Sequence, residues 1–366
     1  MKYPIVKPYL PCLEKYQNYI SDVFERNWLT NNGPLVQKLE KRLAEYLGVE
    51  HLLLVANGTL ALQVAYAALG IKGKVLTTPF SFAATASSLV WHGLQAEFID
   101  VDAGSFNLNA DNISTEQIDT ASAILAVHVF GNPCEVEKLA ALGAEHDMKI
   151  IYDAAHAFGS NFNDQSVLNY GDAATLSFHA TKLFHSTEGG AIIFKNKADY
   201  DNARQLINFG FDKNNHPELV GINAKMSEMH AAMGLTVLEN IDHITAQRSE
   251  LVNRYHQNLE TITCELLQLQ HWHVAGVRNG AYMPVLFKDE SSVLLIADQL
   301  ANEDIGTRRY FHPSLSQVEA YGMKGDTPIA NDIASRILCL PLYTDLTLVD
   351  VDYICDKIKF FLDVRS

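Results

Sequence analysis

The sequence predicts an α/β fold, with a large domain on a mostly parallel sheet and a smaller α+β domain following it. Three observations carry that prediction. From Leu52 onward, short apolar runs alternate with longer helical patterns, the rhythm of strands joined by crossover helices. One of these runs, Ile150-Ile-Tyr-Asp153, stops on a carboxylate, where an open parallel sheet meets its ligand. Beyond about Ile244 the rhythm changes to an apolar strand pattern at Tyr282–Phe287 set among helical stretches. At 366 residues, 48% of them apolar, the chain has material for two packed cores.

Taken in order, Leu52–Ala56 reads as a buried strand and Leu60–Leu69 as the helix behind it. Val75–Thr78 and Ala83–Trp91 repeat the pair, and Ala96–Val101 supplies a third strand. Ile124–Val129 leads into a helix at Val136–His146 and then the strand Lys149–Asp153. Runs at Thr175–Phe178 and Ala191–Phe194 add strands to the same sheet. Met226–Ile244 reads as one long helix rich in Ala, Met and Leu, with a polar helical region after it through Arg254 and Asn258. The boundary is drawn there, giving a large domain over residues 1–244 with an N-terminal arm and a small domain over 245–366. Helices near Val293–Asn302 and Leu348–Leu362 complete the second unit.

Charge narrows the partners. The chain carries 28 Lys plus Arg against 43 Asp plus Glu, a net −15, and no dense basic run that would track a phosphate backbone, so nucleic acid is not expected. A small anion is still compatible, because a few oriented backbone N–H groups make a local anion site on an acidic protein. The five cysteines are scattered, odd in number and without C-x-x-C spacing, which predicts reduced, mostly buried thiols and no metal site. Residues 1–20 hold Pro4, Pro8 and Pro11 and only a short apolar stretch, unlike a signal peptide. No run approaches the roughly 18 apolar residues of a membrane span. A cytoplasmic protein without a membrane partner is expected.

Asp153, at a strand end, is placed to meet a ligand, although a lone Asp there is commonly a helix cap. Lys182 lies in Leu176-Ser-Phe-His-Ala-Thr-Lys182, just before Glu188-Gly-Gly190 and another apolar run. A lysine between two strands is an unusual use of a side chain that prefers solvent. Partial desolvation lowers the pKa of such an amine and frees its lone pair for covalent catalysis of a carbonyl compound. In Ala56-Asn-Gly-Thr-Leu60 a buried strand breaks at Gly58 and a helix begins; Gly58, the Thr59 hydroxyl and the first free N–H groups make an anion site able to take a phosphate, although strand–Gly–helix turns are ordinary. The motif is neither a P-loop nor a dinucleotide fingerprint.

These elements, in this order, resemble the DegT/DnrJ/StrS family of sugar aminotransferases within the fold-type I pyridoxal-phosphate (PLP) enzymes. The resemblance spans nearly the whole chain: Trp28-Leu-Thr-Asn-Asn-Gly-Pro34, Asn57-Gly-Thr59, Pro79-Phe-Ser-Phe-Ala-Ala-Thr85, Asp153-Ala-Ala-His156, Ser177-Phe-His-Ala-Thr-Lys182, Gly221-Ile-Asn-Ala-Lys-Met226 and Leu340-Pro-Leu-Tyr343. It implies that Lys182 is the Schiff-base lysine and proton shuttle, and that Asp153 pairs with the pyridine nitrogen. It assigns Gly58, Thr59 and Ser177 to the phosphate and Phe82 to stacking on the ring. Asn223 matches an asparagine that reaches the phosphate from a neighbouring subunit, which implies a homodimer with shared active sites. His156 stands where many members carry Gln and takes a hydrogen-bonding role near the ring hydroxyl.

Lys182, where some relatives carry the His of dehydratases, implies transamination, with pyridoxamine 5′-phosphate as the form between half-reactions. Ser177-Phe-His179 with Lys182 and Glu188-Gly-Gly190 resembles members that aminate C4 of nucleotide-linked 4-keto-6-deoxy sugars. The expectation is therefore a dTDP-4-keto-6-deoxyglucose 4-aminotransferase with glutamate as donor. A 3-aminotransferase, a UDP-sugar enzyme, a PLP-dependent dehydratase and a non-catalytic sensor are the alternatives. His179 and His185, flanking Lys182, and Arg308, Arg309, Tyr310 and His312 are the candidate substrate contacts, with a solvated basic turn as the competing reading of the last four.

Overall fold

Seven strands form the central sheet of the computed structural model, which describes residues 1–262, 265–322 and 325–363. In chain order the first nine strands are β1 (His51–Val55), β2 (Lys74–Thr77), β3 (Gln95–Phe98), β4 (Ala121–Val127), β5 (Lys149–Asp153), β6 (Asn161–Phe162), β7 (Gln165–Ser166), β8 (Ala173–Ser177) and β9 (Gly190–Phe194). The sheet runs β1-β9-β8-β5-β4-β2-β3. Only β9 is antiparallel to its neighbours. The other six strands thus share one direction and end on one edge, which gathers the loops after β1, β2, β5 and β8. Ile124, Leu125 and Ile151 in the middle of the sheet are fully buried, as strands covered on both faces require.

Two helices before β1, Leu13–Arg26 and Pro34–Leu47, fill what the sequence reading left as an arm. The second buries Leu35, Leu39, Leu43 and Leu47 on one face. Its first turn is capped from a distance: the buried Glu228 carboxylate accepts from the amides of Leu35 (3.0 Å) and Val36 (2.9 Å), a favourable place for a negative charge. Gly33 permits this, because a Cβ there would lie 2.6 Å from Glu228 Cδ.

The single long helix expected over 226–244 is instead two, Glu228–Leu238 and Ile241–Leu259. The first is buried on almost every side in the large core, whereas the second turns Leu251, Val252, Tyr255 and Leu259 toward a second core. At the break, the Asn240 side-chain amide donates to the Thr236 carbonyl (3.2 Å), satisfying a carbonyl that the ended helix leaves free. Unbroken apolar periodicity hides a turn this short. Position 244 falls inside the second helix.

The second core surrounds an antiparallel sheet. Here β10 (Leu267–Leu269), β11 (Gly276–Val277), β12 (Pro284–Phe287) and β13 (Ile337–Cys339) follow in sequence, with sheet order β10-β12-β13. The helices Glu290–Asn302, Pro328–Arg336 and Leu348–Asp363 accompany it. Among the tethers that join the units, β11 pairs with β6, and buried Asp100 accepts from the amides of Ile329 and Ala330. Tyr3, at the other end of the chain, packs in this second core. Among the described residues Cys134, Cys339 and Cys355 are buried free thiols and Cys12 is exposed; Cys264 lies outside the described residues. No helix among them is long and apolar enough to cross a membrane.

Candidate active site

The carboxyl edge of the sheet and the second unit enclose a cavity of about 340 Å³. Ten of the residues singled out from sequence line it: Gly58, Thr59, Phe82, Asp153, His156, Ser177, His179 and Lys182 from the large unit, and Arg308 and Tyr310 from the small one. Four others, Asn223, His185, Arg309 and His312, do not. Asn223 is exposed on a separate loop, bridged to Asn208. His185 is buried and turned away, its Nε2 2.7 Å from the Tyr9 carbonyl oxygen. His312 sits beside Arg309, whose guanidinium is held by Glu290 (2.7 Å) and the Ser335 carbonyl (2.8 Å).

Asp153 ends β5 in register with Val127 of β4 and Thr175 of β8. Its carboxylate is buried and accepts from Thr85 Oγ1 (2.8 Å) and the Ala155 amide (3.1 Å). Thr85 in turn accepts from Ser81 Oγ (2.7 Å), so the hydroxyl chain aims its proton at the carboxylate. Burial raises the Asp153 pKa, while Thr85, the Ala155 amide and the nearby Lys182 charge pull it back. Both hydrogen-bond partners are neutral. A buried carboxylate facing a cavity with neutral partners alone is suited to a ligand that brings a positive charge.

Lys182 stands on the loop between β8 and β9 and points its amine into the cavity. Burial pulls that amine down to about 8, against the opposing influence of Asp153 and Tyr310. A useful fraction is therefore neutral and nucleophilic near physiological pH. Its hydrogen bond goes to Tyr282 Oη at 3.2 Å. His156 is buried, with its ring nearly parallel to those of Phe130 (11°) and Phe311 (5°). His156 Nδ1 accepts from the Phe130 amide (3.2 Å), and burial followed by the Lys182 charge holds its pKa well below the usual value. The ring is thus neutral with its proton on Nε2, a hydrogen-bond donor.

A phosphate-sized corner lies where β1 passes into the helix Gly58–Ala68. Asn57 Oδ1 caps the Leu60 amide (2.9 Å) and the Asn57 carbonyl takes the Ala61 amide (3.1 Å), which leaves the Gly58 and Thr59 amides at the positive end of the helix. Ser177, the last residue of β8, closes against them: a Cβ on Gly58 would meet Ser177 Cβ at 2.9 Å. Phe82, 56% exposed despite its apolar ring, stands at the start of the helix Ala83–Trp91 as a flat face toward the cavity.

The rim is more open. Arg308 is exposed and its guanidinium lies 4.9 Å from the Tyr310 ring centroid. His179 Nε2 is 3.7 Å from Glu188 Oε1, and both side chains are about half exposed. Sequence reasoning missed Phe311 and Tyr282 as individual wall residues and Thr85 as the donor to Asp153 behind the wall. Thr85 closed a quoted motif without a role, and Tyr282 was read only as the start of a strand. The Asn279-Gly280 pair just before it is the signal that marks it as a turn residue.

An amine of lowered pKa, a buried carboxylate awaiting a cation, an anion corner and a flat aromatic face together match the four parts of pyridoxal phosphate: aldehyde, ring nitrogen, phosphate and ring. This is the chemistry of a PLP-dependent aminotransferase of fold type I. The model of the DegT/DnrJ/EryC1/StrS aminotransferase family matches residues 12–359, and the chain belongs to that family. It is 41% identical over 97% of its length to a dTDP-4-amino-4,6-dideoxy-D-glucose transaminase of Shigella dysenteriae, covering 98% of that protein. A transaminase of the same description from Escherichia coli is 36% identical, with 94% of each chain covered. The crystal structure of DesI in the presence of its TDP-sugar product superposes with a TM-score of 0.92 at 31% identity, over 98% of this chain and 93% of that one.

Proposed function

We propose that the protein transfers an amino group from glutamate to C4 of a nucleotide-linked 4-keto-6-deoxy sugar, dTDP-4-keto-6-deoxyglucose in the first instance. The likeness to the two 4-amino-4,6-dideoxyglucose transaminases carries the choice of carbon and sugar, since both cover nearly the whole chain. The site residues are read onto the geometry as follows. Lys182 Nζ would hold the cofactor at rest and move the proton between donor or acceptor carbon and cofactor. Asp153 would keep the ring nitrogen protonated, helped by the Ser81–Thr85 hydroxyl chain that fixes its orientation. His156 Nε2 would donate to the ring hydroxyl, Phe82 would stack on the ring, and Gly58, Thr59 and Ser177 would bind the phosphate. Bound there, pyridoxal phosphate supplies the electron sink that lets nitrogen leave one carbon and join another.

Arg308 is the cation best placed to meet the sugar's diphosphate, with Tyr310 beside it. Asn223 would act from the partner subunit of a homodimer. Its surroundings support this, because Phe209 (48%), Ile222 (41%) and Val220 (99%) expose apolar surface on the same loop region. A cytoplasmic location and a division into a large and a small domain near the helix Ile241–Leu259 belong to the same reading. The test uses 15N-glutamate with dTDP-4-keto-6-deoxyglucose: the label should appear on C4 of the recovered nucleotide sugar. Label on C3, or loss of a hydroxyl without nitrogen transfer, would replace this reading with a 3-aminotransferase or a dehydratase.

A further inference from the structure

Lys182 Nζ finds its hydrogen bond on Tyr282, a residue 100 positions away that belongs to the other unit. The turn that delivers Tyr282 is fastened at three points. The Asn279 side-chain amide donates to the carbonyls of His156 (2.8 Å) and Phe158 (3.0 Å) in the loop after β5, and its Oδ1 accepts from the Ala281 amide (3.0 Å). Gly280 has φ +69°, and a Cβ there would lie 3.0 Å from the backbone of Arg248 and Ser249. That position therefore needs glycine for conformation and for close approach. Arg248, itself 5% exposed, donates Nε to Gly280 O (2.8 Å), Nη2 to Ala281 O (2.7 Å) and Nη1 to Leu342 O (3.0 Å). All three acceptors are carbonyls. A buried guanidinium held by carbonyls is a costly fastener, since its charge gains no carboxylate in return for lost water.

We propose that Tyr282 is a catalytic partner of Lys182, holding its amine in the cavity whenever that amine is free, and that Arg248 is the positioning residue that keeps Tyr282 there. The inference deepens the functional reading above and rests on Lys182 being the reactive amine. Burial pushes the Tyr282 phenol well above its ordinary range, so the hydroxyl keeps its proton. Such a hydroxyl serves both forms of the lysine: its oxygen accepts from the ammonium, and its O–H donates to the lone pair of the neutral amine. The amine is thereby aimed in either state, while Arg248, bonded to the two residues before Tyr282, fixes the ring without touching the reacting atoms.

The test is the pH profile of Lys182 acylation by a water-soluble amine reagent in cofactor-free protein, followed by mass spectrometry of the Lys182 peptide. Tyr282→Phe removes both an acceptor for the ammonium and a donor to the lone pair, so Lys182 should react about three- to tenfold faster near neutral pH. Arg248→Met should move the profile in the same direction, and Arg248→Lys less. In the loaded enzyme Tyr282→Phe should lower kcat by a similar factor with KM for glutamate unchanged. A Tyr282→Phe profile that overlays wild type overturns the proposal. If Arg248→Met does not fold, an Arg248→Lys profile that overlays wild type overturns the Arg248 half. Because the profile is read without cofactor, its outcome is independent of whether Lys182 carries pyridoxal phosphate, which the absorption spectrum decides.

Discussion

Asp153 and Arg308 line the same cavity but are held in opposite ways. Asp153 ends a central strand, is buried, and has both carboxylate oxygens fixed by short hydrogen bonds. Arg308 lies on a segment of the second unit, its backbone paired with Cys339 while its guanidinium is exposed against one aromatic ring. The same contrast separates Ser177, the last residue of a central strand, from the half-exposed loop pair His179 and Glu188. Strand ends place groups to a fraction of an ångström, and loops can vary while the scaffold stays constant. The difference teaches that strand ends give the cavity a fixed wall and the second unit gives it a more open rim; in the function proposed above, the first would meet the cofactor and the second the substrate.

The comparison is broken first at its centre. Lys182→Ala should fold and lose turnover by at least about a thousandfold, the combined loss of nucleophile and proton shuttle, measured as steady-state amination. Asp153→Asn comes next: removing the charge that meets the ring nitrogen should lower kcat by about a hundredfold or more, with weaker cofactor retention on dialysis. A retained rate in Asp153→Asn would place the electrostatic burden elsewhere than on the strand-borne wall.

A pH experiment sharpens the buried side of the cavity, which Lys182 enters from the loop between β8 and β9. The Lys182 amine falls from 10.5 to about 8 on folding of the cofactor-free protein. Between those values the unfolded chain binds a proton that the folded one does not, so stability rises as pH rises through this window and the penalty is complete below it. Lys182→Met should therefore stabilise the cofactor-free protein at pH 7 by up to about 3 kcal/mol, an advantage that vanishes by about pH 10.5, read from urea midpoints.

How much of this was legible depends on whether a residue's role is local. The strand ending at Asp153, the Gly58 turn and the lysine between two strands were readable because each is a contiguous pattern with its own physical signature. The order of the sheet and the antiparallel β9 were not, since register is fixed by partners far away in sequence. Tyr282 and Arg248 reach Lys182 from the second unit, and nothing in their own neighbourhoods names that target. His185 shows the converse: adjacency to Lys182 suggested the cavity, but a three-residue offset on a turning loop aimed it at the Tyr9 carbonyl. The N-terminal helix Pro34–Leu47 was hidden for the same reason, as its cap, Glu228, comes from 193 residues away.

The loop-borne wall should respond more gently. Arg308→Gln should raise KM for the nucleotide sugar by about tenfold, the loss of one charge-assisted contact, and leave the glutamate half-reaction unchanged. An equal effect on both half-reactions would move Arg308 from the substrate to the shared machinery. Gly58→Ala is the smallest change in atoms, yet its methyl would press on Ser177. It should cost about 1–3 kcal/mol of stability or an equivalent loss of cofactor affinity, measured by thermal unfolding with and without added pyridoxal phosphate.

The central claim is that Lys182 carries the cofactor through a full amino-transfer cycle, and the visible absorption spectrum reads it directly. Wild type loaded with pyridoxal phosphate should show a band that glutamate bleaches and dTDP-4-keto-6-deoxyglucose restores, and Lys182→Ala should fail to complete that cycle. A wild-type spectrum with no Lys182-dependent band, or one that glutamate leaves unchanged, would contradict the account at its root.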